Sequence, residues 1–311
     1  MPNHPQGENE LNRRRSIIIH IFLLGILLTA CHQDTAPSVS TSNPLAIESF
    51  LADLAQNVAG ERMAIQSLIP PGLDPHNFEV TPKDVVRIND SSILIINGAN
   101  LESWLMPILE NLPKDKLVIT ASEGLISRTS SKTDSEIDPH FWLDPINVIQ
   151  YVKNIRDGLI KADPDGKVTY ENNAEAYIEK LNDLDLWIKE QVALIPPSNR
   201  KLVTNHESLG YFADRYGFEV IGTIIPSTST GSSPSAEELA KLVDIIRSTG
   251  VKAIFLEAGG NSQLAEQVAN ETGIKVVADL YTHSIPTNDG FSASYLEMMK
   301  HDVSVIVEAL R

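Results

Sequence analysis

Between Val168 and Leu194, apolar side chains recur at Tyr170, Ala174, Tyr177, Leu181, Leu184, Ile188 and Val192, a helical stripe sustained over about 27 residues. At ~1.5 Å rise per residue such a helix is roughly 40 Å long, enough to bridge two lobes. Pro196-Pro197 ends it. With 311 residues the chain exceeds one ordinary domain, so a long helix in its middle predicts a two-lobed molecule.

Both flanks of the stripe follow one grammar. On the first side, Ile47, Phe50, Leu51, Leu54 and Val58 keep a helical period up to Gly60, and Met63 to Ile69 reads as a buried strand stopped by Pro70-Pro71-Gly72. A strand at Ser92 to Ile96, a helix from Leu101 to Leu112, a strand at Leu117 to Thr120 and a helix at Val148 to Leu159 follow. On the second side, strands are predicted at Leu202 to Thr204, Val220 to Ile225, Ala253 to Leu256 and Lys275 to Ala278. Helices are predicted around Leu239 to Ile246 and Leu264 to Val268, and from Tyr295 to Leu310. Short strands alternating with helices imply α/β lobes with parallel sheets covered on both faces.

The first thirty residues stand apart from this pattern. Arg13, Arg14 and Arg15 precede an apolar run from Ile17 to Leu28 that is short for a membrane span, so it reads as a secretion signal. It ends Leu28-Thr29-Ala30-Cys31, which resembles the lipobox cut by bacterial lipoprotein signal peptidase, and Cys31 is then the lipidated N-terminus. Cys31 is the only cysteine, so disulfides, further thiolate ligands and cysteine nucleophiles are excluded from the folded part. His32 to Pro44 is rich in Ser, Thr and Pro and reads as a flexible tether. The expected organisation is a signal at 1–30, lipidated cysteine and tether at 31–44, an N-terminal lobe at 45–164, a linking helix at 165–197 and a C-terminal lobe at 198–311. Without residues 1–30, which hold three arginines and two glutamates, 22 basic residues face 39 acidic ones, a net charge of −17. Such a balance argues against a nucleic-acid partner.

Of the eight histidines, His4 and His20 lie in the signal, His32 in the tether and His301 in the last helix. The other four, His76, His140, His206 and His283, are 64, 66 and 77 residues apart, two in each half, each after a strand. Ligands of open α/β sheets bind beyond the carboxyl ends of the strands. Four imidazoles can therefore meet in one interlobe cleft, a donor set suited to zinc, while nickel and copper also accept four nitrogens. Asp74-Pro75 and Asp138-Pro139 precede two of these histidines, and each proline stiffens the approach. Phe78, Phe141 and Trp142 lie beside them and are expected to exclude water. Glu257, at a strand end, is a candidate acceptor for an imidazole N–H. Asn77 stands where a zinc-protease helix motif would need Glu, and neither a serine-hydrolase elbow nor a phosphate-cradling glycine loop is present, so no enzyme is expected.

The segments GLDPHNFEVTPKDV, NGANLESWL, DPHFWLDP, TNHESLGYFADRYGFEVIGT, YTHSI and YLEMMKHDV occur in that order. Together they resemble the metal-binding (zinc and manganese) substrate-binding lipoproteins of ABC transporters, over residues 45 to 311. The resemblance implies two small lobes joined by one long rigid helix. It implies a metal site in the cleft between them, a permease as partner, an extracytoplasmic lipid-anchored location in the periplasm or at the cell surface, and a monomer. An adhesin at the cell surface is the other role it leaves open. His76, His140 and His206 match family ligand positions, but the fourth is commonly an aspartate where this chain has His283, with Asp279 as the local alternative. Manganese-selective members tend to carry glutamate at the position of His206, so a histidine there favours zinc. The histidine-rich loop of many zinc members is absent, since Ser127 to Ile137 holds no histidine, and manganese stays open.

Overall fold

The structure, a computed structural model, describes residues 43–128, 137–258, 262–285 and 293–311, apart from the Asp279 side chain. The signal, Cys31 and most of the tether lie outside these residues, as does His32. Among the described residues no helix is long and apolar enough to cross a membrane.

In the first half, β1 (Pro44–Ala46), β2 (Gln66–Ser67), β3 (Ile93–Ile96) and β4 (Leu117–Thr120) form a parallel sheet of order β2-β1-β3-β4. It is accompanied by α1 (Ser49–Ala59), α2 (Pro82–Asp90), the short α3 (Met106–Leu109) and α4 (Pro145–Ala162). The linking helix α5 spans Lys167–Val192. In the second half, β5 (Lys201–Thr204), β6 (Glu219–Thr223), β7 (Ala253–Glu257) and β8 (Lys275–Leu280) repeat the same order as β6-β5-β7-β8, again all parallel. Helices α6 (Gly210–Tyr216), α7 (Ala236–Thr249), α8 (Gln263–Thr272) and α9 (Tyr295–Leu310) complete it.

Strand periodicity decides which side chain serves which layer. Ala46, Ile93 and Ile95 point into one core, whereas Leu45, Ile47, Leu94 and Ile96 point to the opposite face of the sheet. In the second sheet Leu202, Ala253 and Phe255 share that first core, while Val203, Ile254 and Leu256 face the other way. The stripe of α5 runs through the shared core, from Tyr170 and Tyr177 to Ile188 and Val192. One continuous apolar body therefore joins both sheets, and fully burying each Leu or Ile in it contributes about 1.5–3 kcal/mol. Helix α4 lies close against β4: a Cβ at Gly158 would stand 2.2 Å from Ile119 Cδ1.

Several elements differ from the sequence pattern, for local reasons. Helix α1 begins at Ser49, because Ile47 is hydrogen-bonded to the sheet through Ile95. The stretch expected as a strand from Met63 to Ile69 pairs only at Gln66–Ser67. Leu101 to Leu112 is not one helix but a 3₁₀ turn at Ser103–Leu105 followed by α3, where Pro107 removes a backbone donor. Helix α2 starts at a capping box in which Thr81 and Asp84 satisfy each other's backbone N–H.

Candidate metal centre

Within each sheet all strands are parallel, so each lobe gathers its carboxyl-end loops along one edge. His76 sits in a 3₁₀ turn, Pro75–Asn77, after β2, and Asp74 caps that turn by accepting the His76 N–H at 2.9 Å. His140 opens the turn Phe141–Leu143 that leads into α4. His206 follows β5, and His283 follows β8.

The four rings meet. His140 Nε2 stands 3.2 Å from His76 Nε2, 3.1 Å from His206 Nε2 and 3.3 Å from His283 Nε2. One ligand atom from each histidine lies within 4.8 Å of every other. A tetrahedral ion with nitrogens at 2.0–2.1 Å has N···N edges of about 3.3–3.4 Å, close to the three measured from His140. His140, His206 and His283 are buried, and His76 is partly exposed.

The far side of each deep ring is engaged. His140 Nδ1 is 2.8 Å from Asp138 Oδ1. His206 Nδ1 is 2.7 Å from Glu257 Oε1, a charge contact rather than an aligned hydrogen bond. His283 Nδ1 lies 3.1 Å from Thr282 Oγ1 and 3.8 Å from Glu257 Oε2. Carboxylates behind the Nδ1 atoms leave the Nε2 lone pairs facing the common point, which is how outer groups orient metal-ligating imidazoles.

Burial, aided by the charges of neighbouring imidazoles, holds His76 and His140 well below the usual imidazole range; burial also lowers His283. It acts on His206 too, but there the Glu257 carboxylate outweighs it and the net shift is upward. Burial raises Glu257, yet the adjacent His206 and His283 charges prevail and hold it down to about 2. Asp138 is different: burial pushes it up to about 7 despite the His140 backbone N–H and the Arg128 guanidinium.

Trp142 ties the two halves together. Its indole Nε1 donates to Thr282 O at 2.7 Å, its own carbonyl accepts from Tyr295 Oη at 2.7 Å, and its ring stacks on Phe50 at 4.5 Å. The ring also lies 5.1 Å from that of His140, so it seals the floor of the site. Phe141 packs instead on Tyr211, and Phe78 on Trp104. His301 stays apart, its ring 5.0 Å from that of Tyr281. The backbone of Asp279 belongs to β8, and its side chain is outside the described ones.

The family profile described as "ZnuA: Zinc-uptake complex component A periplasmic" matches residues 45–309. The chain belongs to this family. It is 32% identical over 293 residues to the manganese-binding lipoprotein MntA of Halalkalibacterium halodurans, covering 93% of this chain and 96% of that one. It is 33% identical over 304 residues to the manganese ABC transporter substrate-binding lipoprotein ScaA of Streptococcus gordonii, covering 94% and 97%. Among solved structures, the periplasmic zinc-binding protein TroA of Treponema pallidum superimposes with a TM-score of 0.80 at 27% identity, covering 86% of this chain and 99% of that one. A manganese-bound periplasmic metal-binding protein of Candidatus Liberibacter asiaticus, the S38A mutant, also gives 0.80, at 31% identity with 87% and 100% covered. Two lobes of parallel α/β structure with a long linking helix are therefore the architecture of the family.

Asp138 and Trp142 do more than the sequence suggested. Asp138 reads as part of a stiff Asp-Pro turn, yet its carboxylate reaches the ring of the histidine two residues later. The repetition of Asp-Pro-His at 74–76 and 138–140 was the available signal.

Proposed function

We propose that the chain is the solute-binding component of an ABC importer, capturing a transition-metal ion between its lobes and delivering it to a permease. The observation that carries this reading is the convergence of four imidazole Nε2 atoms, from both halves of the chain, on one point. His76, His140, His206 and His283 are the proposed ligands, with Glu257 and Asp138 orienting the rings behind them. Four protein donors around a tetrahedral ion leave no open position for a reactive water, which suits a carrier and not a hydrolase. Its relatives bear the names of transporter components, not of enzymes.

Zinc is the proposed ion, because four neutral nitrogens suit a borderline cation better than they suit manganese, which favours oxygen donors. Manganese is the second reading, favoured by the names of the relatives. Under the same proposal residues 1–30 are a signal and Cys31 carries the lipid. Residues 31–44 tether the lobes at 45–164 and 198–311, linked through 165–197, to the outer face of the cell membrane. Several relatives are likewise named lipoproteins.

The test is purification under metal-limited conditions, followed by competition titration with zinc, manganese, nickel and copper. One equivalent of zinc bound ahead of manganese is the expected result. A preference for manganese would replace the ion, and the absence of any stoichiometric metal would remove the import reading.

A further inference from the structure

His76 is the one ligand with part of its surface open, and the loop that carries it is fastened to the other lobe at two hydroxyls: Ser284 Oγ accepts the Gly72 N–H at 2.9 Å, and Thr230 holds the turn of the histidine itself. The Thr230 hydroxyl, between β6 and α7, donates to Asp74 Oδ2 and accepts from Asn77 Nδ2 at 2.6 Å. Asn77 Nδ2 also lies 3.3 Å from Asp74 Oδ2, which closes a three-residue ring across the cleft. Asp74 uses its other oxygen, Oδ1, on the backbone N–H of His76. The ring thus connects the C-terminal lobe directly to the turn that aims a ligand. It requires close approach, because a Cβ at Gly231 would stand 2.9 Å from Asn77 Oδ1.

The placement of this ring gives it a consequence for the ion. One cavity of about 500 Å³ reaches His283 and Glu257 and is bordered by Asp74, Asn77 and Thr230. Another of about 450 Å³ reaches His76 and is bordered by Thr228 and Ser229. The segment Thr228 to Thr230 therefore stands between two openings onto the ligands. With His76 and His140 from the N-terminal lobe and His206 and His283 from the other as its ligands, an ion leaves only when these separate on one side.

We propose that Thr230 is a positioning residue that holds the His76 turn across the cleft, so that its bonds to Asp74 and Asn77 set the rate at which a bound ion escapes. This rests on the reading of the four histidines as the metal site. A valine at 230 has the same shape but can neither donate nor accept, whereas serine keeps both capacities. A hydrogen bond to a charged group is stronger than one between neutral groups, so losing the carboxylate contact together with the amide contact should accelerate release about tenfold.

The experiment is transfer of zinc from the loaded full-length chain to excess chelator, followed by stopped flow, in the wild type, Thr230→Val, Thr230→Ser and Gly231→Ala. Release about tenfold faster in Thr230→Val, wild-type release in Thr230→Ser, and an unchanged melting temperature of the metal-free Thr230→Val chain would support the proposal. Accelerated release in Gly231→Ala, whose added methyl pushes Asn77 away, would support it independently. Wild-type release in Thr230→Val, or equal acceleration in Thr230→Ser, would overturn it. A wild type that retains no zinc would instead overturn the metal-site reading itself.

Discussion

The two halves of the site use the same parts to opposite electrostatic effect. In the N-terminal half, His140 and Asp138 are both buried, and burial drives each toward its neutral form, the imidazole down and the carboxyl up to about 7. In the C-terminal half, His206 is buried and Glu257 nearly so, yet the pair favours charge, with the imidazole raised and the carboxyl held at about 2. The difference lies in how many rings each acid faces. Asp138 serves one imidazole, whereas Glu257 stands between two, 2.7 Å from His206 and 3.8 Å from His283. The C-terminal lobe thus supplies fixed negative charge behind a cation, and the N-terminal lobe supplies geometry, including the partly exposed ring of His76.

The largest effect should come from the ring that touches all others. His140 Nε2 lies within 3.3 Å of the other three Nε2 atoms. His140→Ala is therefore expected to weaken zinc binding by at least about 100-fold, beyond the 10- to 100-fold typical of losing an outer orienting group. His76→Ala, which opens a partly exposed position that water can fill, should cost about tenfold less than that. Competition titration of both variants checks this, and equal losses would erase the distinction between a deep and a peripheral ligand.

His283→Asp should come next, since it replaces a neutral nitrogen with a charged oxygen beside Glu257. The ratio of zinc to manganese affinity is expected to fall by at least about tenfold, because oxygen donors suit the harder ion. An unchanged ratio would show that residue 283 does not set selectivity. Glu257→Gln should weaken zinc binding by about 10- to 100-fold, and Asp138→Asn by less, because Asp138, pushed up to about 7, is only partly ionised near neutral pH whereas Glu257 is fully ionised. If Asp138→Asn proved the more damaging, the contrast between charged and neutral halves would be wrong.

Much of this arrangement was legible in the sequence where a pattern is local and long. The stripe through Tyr170 to Val192 marks α5, and the limits of β4 and α9 match the apolar periods at Leu117 to Thr120 and Tyr295 to Leu310. The four histidines stood out because each follows a strand and parallel strands share one open end. Strand β1 was hidden, since Pro44–Ala46 is too short for any period to register, although it lies between β2 and β3 in the sheet. Helix α2 was carried by a capping box and not by an apolar stripe. Glu257 was visible as a strand-end acid. The reach of Asp138 to His140 was not, because it depends on the turn that starts at the histidine itself. Thr230 meets Asp74 across 156 residues of sequence, a contact with no local signature.

The smallest effect is a shift in pH dependence, and it separates the two halves most finely. Ligation needs neutral imidazole, so a proton competes with the ion only where a ring's folded value lies near the working pH. His76, His140 and His283 are lowered, and they stay neutral through the ordinary value near 6.5 and below it. His206 is raised, so in the metal-free protein it is the first ring to take a proton as pH falls. Zinc affinity should therefore be flat at high pH and begin to fall above pH 6.5, by about tenfold per pH unit for one competing proton. In Glu257→Gln the carboxylate that does most to raise His206 is gone while burial, Asp74 and Asp138 remain, so the break should move to lower pH. Zinc competition titrations from pH 8 to 5.5 on both proteins decide the matter. A wild-type affinity that stays flat down to pH 6, or a break that does not move in Glu257→Gln, would mean that His206 is not the charged member of the cluster.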